Sequence, residues 1–219
     1  MLTLFDCDGV LVDSEIIAAR VLRRYLEDIH FPIVVTEDDH DRFLGFTLTK
    51  VRTTLEQEAG HPLPQDFETA LRSRDMIAFE RDLMPIAGVR EAAEALPGAL
   101  CVASSGAPEK IRSSLKLTGL FDLFAPHLFS AKDPAVANGK PAPDLFLHAA
   151  ARMGYDPKDC IVIEDSVAGV RAGVAARMRT IGFIGGSHCG PNHAETLRTA
   201  GAVAILSDMW NLPSCVASL

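Results

Sequence analysis

Leu2-Thr3-Leu4-Phe5-Asp6-Cys7-Asp8-Gly9 decides the fold, because a short apolar run leads directly into two carboxylates and a glycine. Residues two apart on a strand point to the same side, so Asp6 and Asp8 are predicted to leave a strand end aimed at one point. Gly9 allows the chain to turn behind them. Converging carboxylates need a cation or a proton between them. The same short pattern also fits a solvated turn after a strand.

The two carboxylates have a chemical use if they do converge. One ionised carboxylate can attack phosphorus, while a protonated neighbour hands its proton to the departing oxygen. In that interpretation Asp6 is the nucleophile and Asp8 is the acid. The pattern therefore favours phosphoryl chemistry, provided that other strand ends bring further polar groups to the same place.

Composition limits the possible partners. The 219 residues are 48% hydrophobic, enough for a packed interior, and 21 Lys+Arg against 29 Asp+Glu give a net charge of -8. No basic stretch interleaved with aromatic residues occurs, so nucleic acid is not expected as a partner. A small phosphorylated metabolite would have to be held by local charges and a metal ion.

Cysteine usage and the N-terminal residues indicate a cellular location. The five cysteines are an odd count, and we expect reduced thiols; they are Cys7, Cys101, Cys160, Cys189 and Cys215. The chain starts on a predicted strand rather than a charged leader, and it has no run of eighteen apolar residues. We therefore expect a soluble, cytoplasmic protein with no membrane partner.

The hydrophobic periodicity divides the chain into two kinds of structure. Residues 15–83 have helical spacing with no convincing strand, whereas strand and helix patterns alternate after Met84-Pro85. The predicted helices are 89–96, 108–117, 143–153 and 167–178, and the predicted strands are 99–103, near Leu128, 160–163, 180–184 and 203–206.

This alternation predicts an α/β fold, a Rossmann-like parallel sheet with helices on both faces and an inserted all-helical domain. Since the first strand precedes the helical stretch and the other strands follow it, the sheet domain is discontinuous. We expect residues 1–14 and 85–219 to form the α/β core domain, and residues 15–84 to form the helical domain.

Two further strand or loop ends carry groups suited to phosphate. Ser104-Ser105-Gly106 follows a predicted strand and offers hydroxyls and backbone N–H groups near a helix start, although Ser105 or a neighbouring residue could also be a simple helix cap. Lys140 lies in a proline-stiffened turn, where its ammonium can neutralise a carboxylate and a phosphoryl group together.

The predicted strand 160–163 ends in adjacent acids, Glu164 and Asp165. Adjacent acids at the end of a buried strand are hard to explain as packing, although one of them could cap the following helix. Together with Asp6 and the Asp8 carbonyl they would form an all-oxygen site of the kind that Mg²⁺ prefers. The sequence therefore predicts a magnesium site at this sheet edge.

Taken together, four segments resemble the motifs of the haloacid dehalogenase-like (HAD) hydrolase superfamily, in the group with a helical cap after the first strand. They are LFDCDGVLVDSE (4–15), VASSG (102–106), GKPAPDLF (139–146) and IEDSVAG (163–169), in the family's order. The similarity spans nearly the whole chain and most resembles sugar phosphatases and beta-phosphoglucomutase-like proteins. It implies a cap formed by residues 15–84.

The resemblance also implies roles for single residues. Asp6 is expected to form an aspartyl-phosphate, with Asp8 as the acid and later the base that activates water. Ser104 and Lys140 are expected to stabilise the phosphate and its charge, with Ser105 and Gly106 as further phosphate contacts. The implied Mg²⁺ ligands are Asp6, Asp8, Asp165 and Glu164, the last directly or through water.

The cap is expected to set substrate selectivity. The resemblance implies that the segment around Gly45, Phe46 and Thr47, with Glu15, faces the substrate. A mutase of this family needs a cap histidine and a basic clamp, and the matching stretches here contain neither, although Arg20 or Arg52 could substitute. We therefore expect a phosphatase, with a phosphomutase as the alternative. A monomer is the simplest expectation for its assembly state.

Two other possibilities remain open at the level of sequence. The fold could serve as a catalytically silent phosphometabolite-binding protein, but such a protein would be expected to lose Asp6, Asp8 or Lys140. His188, Cys189 and His193 could also bind a soft metal, yet their spacing fits no standard zinc pattern. We interpret their glycine-rich segment as a flexible surface loop.

Overall fold

The computed structural model describes residues 1–36, 43 and 46–219, and within these residues the backbone contacts divide the chain into two compact units. One unit comprises Met1–Asp13 and Met84–Leu219, and the other comprises Ser14–Leu83. Among the described residues, no helix combines the length and the apolar character that crossing a bilayer requires.

The larger unit is a six-stranded sheet between helices, and it confirms the predicted α/β class. All strand pairs are parallel, in the spatial order β3-β2-β1-β4-β5-β6. The strands are β1 (Leu2–Phe5), β2 (Ala99–Ser104), β3 (Leu128–Ser130), β4 (Cys160–Glu164), β5 (Arg179–Phe183) and β6 (Ala204–Leu206). Strand order reverses between β1 and β4, and ligands of open parallel sheets bind at such a reversal.

In the smaller unit, Ser14–Leu83, the described residues form three α-helices: α1 (Glu15–Asp28), α2 (Leu48–Ala59) and α3 (Phe67–Asp82). Tyr25 of α1 packs edge-to-face on Phe67 of α3, with ring centroids 5.5 Å apart. The guanidinium of Arg74 lies over the Tyr25 ring, 4.9 Å from its centroid. The described part of this unit has no strand, in agreement with its helical periodicity.

The helices of the larger unit are α4 (Val89–Ala95), α5 (Pro108–Leu117), α6 (Phe121–Phe124), α7 (Asp144–Met153), α8 (Val167–Ala175), α9 (His193–Ala200) and α10 (Leu212–Ala217). Most predicted ends are correct to within one residue, but α8 ends three residues earlier than predicted. The reason lies in Arg177, whose φ of 60° is left-handed and stops the helix before β5. Pro143 lies just before α7, which begins at Asp144.

The apolar core of the larger unit is formed by the sheet and the helices that cover it. All four residues of β1 and all five of β4 are buried, as expected for central strands of a parallel sheet. One side of the sheet packs on Leu145, Phe146 and Ala149 of α7. These buried strands hold the residues at their carboxyl ends in fixed positions.

Leu115 and Leu117 of α5 provide a matched test of this packing. Leu115 is fully buried and Leu117 is 44% exposed. Leu115→Ala is expected to lower the free energy of unfolding by about 2–5 kcal/mol through lost burial and a residual cavity. Leu117→Ala should change it by no more than about 0.5 kcal/mol. Urea unfolding measures both, and equal losses at the two positions would contradict the packing described here.

Candidate active site

The register of the three central strands sets the geometry of the site. Phe5 of β1 pairs with Val102 of β2 and with Ile163 of β4. The next residue of each strand is therefore level with the others, which places Asp6, Ala103 and Glu164 at one edge of the sheet. Because Asp6 also donates its backbone N–H to the Ile163 carbonyl at 3.0 Å, β1 stays bound to β4 at this point.

The Lys140 ammonium contacts all three strand ends. Its Nζ lies 2.5 Å from Asp6 Oδ1, 3.0 Å from the Ala103 carbonyl oxygen and 2.6 Å from Glu164 Oε1. An ammonium has three N–H donors, and here each has an acceptor. The side chain is 4% exposed and lies 5.0 Å from the centroid of the Phe146 ring. Burial alone would lower the pKa of Lys140, but Asp6 and Glu164 raise it, so the group stays charged.

Glu164 is held by protein groups at both carboxylate oxygens. Oε1 binds Lys140, while Oε2 accepts 3.0 Å hydrogen bonds from the backbone N–H and the hydroxyl of Ser166. The Ser166 hydroxyl also caps α8 by accepting from the Gly169 N–H at 3.0 Å. The predicted helix cap is therefore Ser166 and not one of the two acids. The geometry favours Lys140, rather than a metal ion, as the direct partner of Glu164.

Asp6 and Asp165 are buried among other acids, and this affects their protonation. Burial raises the pKa of Asp6 well above its usual range, and the charges of Glu164, Asp165 and Asp8 raise it further, against the opposing effect of Lys140. Burial likewise raises the pKa of Asp165, with Glu164 as the next contribution in that direction. Both carboxyl groups therefore need a positive charge nearby to be fully ionised at neutral pH.

Asp8 has a partner that the sequence analysis did not identify. The Lys110 ammonium lies 2.8 Å from Asp8 Oδ1, and the two side chains are 39% and 16% exposed. Lys110 belongs to the first turn of α5, directly after the turn that contains Ser104-Ser105-Gly106. A lysine at the start of a helix that follows a candidate phosphate turn was the available sequence signal.

The Ser104 to Gly106 turn is held together by hydrogen bonds. Ser104 is buried, and its Oγ accepts from the Gly106 N–H at 3.1 Å. Ser130 of β3 donates from its hydroxyl to the Gly106 carbonyl at 2.6 Å. Ala107, not Ser105, occupies the cap position of α5. The turn thus lies at the same sheet edge as Asp6 and Glu164, with the exposed Ser105 at its tip.

Asp165 is bound by two histidines, one from the segment between β5 and α9 and the other at the first residue of α9. His188 Nε2 lies 2.9 Å from Asp165 Oδ2, and His193 Nε2 lies 2.5 Å from the Asp165 carbonyl oxygen. Both histidines are buried, at 1% and 8% exposure. The interpretation of these side chains as part of a surface loop is therefore wrong, because sequence spacing alone did not show that the segment packs under Asp165.

The residues predicted to face the substrate belong to the helical unit. Glu15 and Phe46 line one mostly apolar pocket of that unit, together with residues such as Leu22 and Leu71. The Thr47 hydroxyl accepts from the Lys50 N–H at 3.2 Å and caps α2. Gly45 lies outside the described residues.

Neither basic residue considered as a phosphate clamp is a free cation in this unit. Arg20 forms an ion pair with Asp82. Arg52 binds Glu56 at 3.0 Å and the Leu63 carbonyl at 3.1 Å. Recruiting either arginine for a second phosphate would require breaking these contacts.

The donor set and its charge fit a divalent metal ion. Asp6, Asp8, Glu164 and Asp165 supply four carboxylates, while Lys110 and Lys140 supply two ammonium groups. With all four acids ionised, the two ammonium groups leave two negative charges, which one divalent cation would balance. Carboxylate oxygens are the ligands that Mg²⁺ prefers, and a cation would favour the ionised forms of Asp6 and Asp165, whose pKa values are raised by burial and by the neighbouring acids.

Comparison with known proteins agrees with this geometry. Residues 1–177 match the sequence profile of haloacid dehalogenase-like hydrolases. The chain therefore belongs to the haloacid dehalogenase-like hydrolase family, as the four motifs had indicated.

Individual relatives share nearly the full length of the chain. The 6-phosphogluconate phosphatase of Escherichia coli K12 is 31% identical over 208 residues, which cover 94% of this chain and 92% of the relative. A haloacid dehalogenase-like protein of unknown function from Agrobacterium tumefaciens C58 is 41% identical, with a TM-score of 0.91 and coverage of 99% and 97%. A HAD family hydrolase from Deinococcus radiodurans R1, solved with bound phosphate and sodium, is 31% identical, with a TM-score of 0.83 and coverage of 99% and 95%.

Gly169 of α8 tests the packing around Glu164. In an ordinary helix interior, replacing glycine by alanine stabilises by about 1 kcal/mol. Here a Cβ at Gly169 would overlap the Glu164 carboxylate and displace it from Lys140. Gly169→Ala is therefore expected to lower the free energy of unfolding by about 1–3 kcal/mol.

The matched control is Gly139→Ala, because a Cβ there meets no atom within 4 Å. Its unfolding free energy should change by less than about 0.5 kcal/mol. Urea denaturation measures the free energy of unfolding of both variants. A more stable Gly169→Ala protein would show that Glu164 is not confined as described.

Proposed function

We propose that this chain hydrolyses the phosphoric monoester of a small metabolite, such as a sugar phosphate, through an aspartyl-phosphate on Asp6. The observation that carries the proposal is the buried contact between Lys140 and Asp6 at the carboxyl end of the central strand. It holds one carboxylate oxygen in place, beside a region of excess negative charge. The phosphatase name of a full-length relative supports the same reaction class.

The first chemical step transfers the phosphoryl group to the protein. A carboxylate oxygen of Asp6 attacks phosphorus, the bond from phosphorus to the ester oxygen breaks, and Asp8 gives its proton to that oxygen. Since Lys110 binds Asp8 Oδ1, we place the transferred proton on Oδ2. Lys140 stabilises the charge that develops between Asp6 and the phosphoryl oxygens.

The second step returns the enzyme to its starting form. Asp8, now ionised, takes a proton from water, and the water oxygen attacks phosphorus. The bond between phosphorus and Asp6 breaks, which releases inorganic phosphate and restores the carboxylate. Ser104 and the exposed Ser105 are assigned to the phosphoryl oxygens, because their turn lies at the same sheet edge.

The proposed cofactor is Mg²⁺, held by the Asp6 and Asp165 carboxylates and the Asp8 backbone carbonyl. When bound, it would neutralise charge on the phosphoryl oxygens and draw the acids into their ionised forms. We assign Glu164 to holding Lys140 instead of ligating the metal directly, since both of its oxygens bind protein groups.

We further propose that residues 15–84 act as the cap that selects the substrate. Within this unit the pocket shared by Glu15 and Phe46 is the candidate for substrate contacts. The ion pairs of Arg20 and Arg52 favour a phosphatase over a phosphomutase. A cytoplasmic location and a monomeric state stay predictions from the sequence.

Asp6→Asn tests the nucleophile. Release of phosphate from p-nitrophenyl phosphate in the presence of Mg²⁺ is expected to fall by at least about 10³-fold, because an amide cannot form the acyl phosphate. The control is Asp122→Asn, which replaces an exposed acid of α6 and should keep the original activity. Chelating Mg²⁺ should abolish release in the unmodified protein, and adding Mg²⁺ back should restore it. An unchanged rate in Asp6→Asn would reject Asp6 as the nucleophile.

A panel of phosphate esters tests the reaction class. Sugar phosphates, 2-deoxysugar phosphates, phosphogluconate and phosphoglycolate are assayed in parallel for release of inorganic phosphate. If the chain is a phosphatase, we expect release of inorganic phosphate from at least one of these esters. Isomerisation of a sugar phosphate without phosphate release would indicate the mutase, and binding with neither reaction would indicate the silent metabolite-binding protein.

A further inference from the structure

We propose that His188 and His193 are positioning residues that fix the metal ligand Asp165, one through its side chain and the other through its backbone. This inference rests on the proposed function, because it assigns Asp165 to Mg²⁺. It concerns the stretch from the end of β5 to the first residue of α9, which takes no part in the chemistry described above.

His188 binds the Asp165 carboxylate in a closed environment. Nε2 lies 2.9 Å from Oδ2, and the two side chains are 1% and 5% exposed. Holding one oxygen restricts rotation of the carboxylate, and this limits the directions in which the other oxygen can point. A histidine that binds a ligating carboxylate in this way reduces the freedom that a metal ion would otherwise have to remove.

His193 fixes the backbone of the same residue. Its Nε2 lies 2.5 Å from the Asp165 carbonyl oxygen, and a carbonyl can only accept, so Nε2 carries the proton of this hydrogen bond. His193 is the first residue of α9, so the bond ties the start of that helix to the end of β4. The two imidazole rings meet edge-to-face, with centroids 5.9 Å apart.

The backbone around His188 leaves space for this arrangement. Gly9 has a φ of +75°, and a Cβ there would overlap Asp165 Oδ2 and approach His188 Cε1 to 2.8 Å. A Cβ at Gly186 would come within 2.6 Å of His188 Cε1. Asp13 accepts from the Ser187 N–H at 3.0 Å and so anchors the residue before His188.

The same segment contains a possible set of soft-metal ligands, but its contacts favour the positioning role. Ligating atoms of His188, Cys189 and His193 all lie within 4.8 Å of one another, and Cys189 Sγ is 3.4 Å from His188 Nε2. However, both imidazole Nε2 atoms already bind Asp165. A metal ion bound through the two Nε2 atoms would displace both contacts from the residue proposed to hold Mg²⁺.

His188→Asn and His188→Gln form the matched test. The Gln amide nitrogen can reach the position of Nε2, whereas the shorter Asn amide corresponds to Nδ1 and cannot. Calorimetric titration of the full chain with Mg²⁺ is expected to show about 10–100-fold weaker binding in His188→Asn, and affinity close to the original in His188→Gln. His127→Gln, at an exposed histidine of the same unit, is the control and should bind Mg²⁺ as the unmodified chain does.

Thermal unfolding of each variant separates folding from metal binding. If His188→Asn does not fold, His193→Asn, which removes the hydrogen bond to the Asp165 carbonyl and the ring contact with His188, is titrated in its place and is expected to bind Mg²⁺ more weakly. Should the unmodified chain bind Mg²⁺ and release phosphate while folded His188→Asn, or its substitute, binds Mg²⁺ equally well, the positioning role is rejected and the proposed function stands. Should the unmodified chain bind no Mg²⁺, the metal assignment fails, and the positioning role fails with it.

Discussion

The contact of one buried ammonium with three strand ends is the constraint on which the site depends. Lys140 satisfies the Asp6 carboxylate, the Ala103 carbonyl and the Glu164 carboxylate at once, and it is 4% exposed. Three adjacent parallel strands can present these acceptors at one level only because their register is aligned. A buried charge without such partners would cost several kcal/mol. Lys140 therefore binds three strand ends of the sheet and at the same time holds the candidate nucleophile Asp6.

The acids around Lys140 lie so close together that additional positive charge is needed to keep them all ionised. Four carboxylates face two ammonium groups, and burial raises the pKa of Asp6 and of Asp165. Glycines make this density possible, since a Cβ at Gly9 would overlap Asp165 and a Cβ at Gly169 would overlap Glu164. The arrangement is unfavourable for a protein that only needs to fold, and it suits one that takes up a divalent cation and an anionic substrate.

Much of the fold and of the central site was predictable, because short-range patterns determine both. The buried strands, the polar residues at their ends and the proline-flanked Lys140 are visible as local sequence features. The partners of these residues could not be predicted from the sequence. Lys110 and His188 approach Asp8 and Asp165 only after α5 and the segment beyond β5 pack against the sheet edge. The helix cap at Ser166 and the two engaged oxygens of Glu164 likewise depend on atomic distances that spacing does not give.

A crystal structure of the chain grown with Mg²⁺ and beryllium fluoride, which mimics a phosphoryl group on a carboxylate, tests the proposed site most directly. We predict beryllium bound to the Asp6 carboxylate, with Lys140 on its fluorine atoms or on the remaining Asp6 oxygen, and Mg²⁺ on Asp165. Beryllium fluoride on another residue, or Mg²⁺ bound away from Asp6 and Asp165, would contradict it.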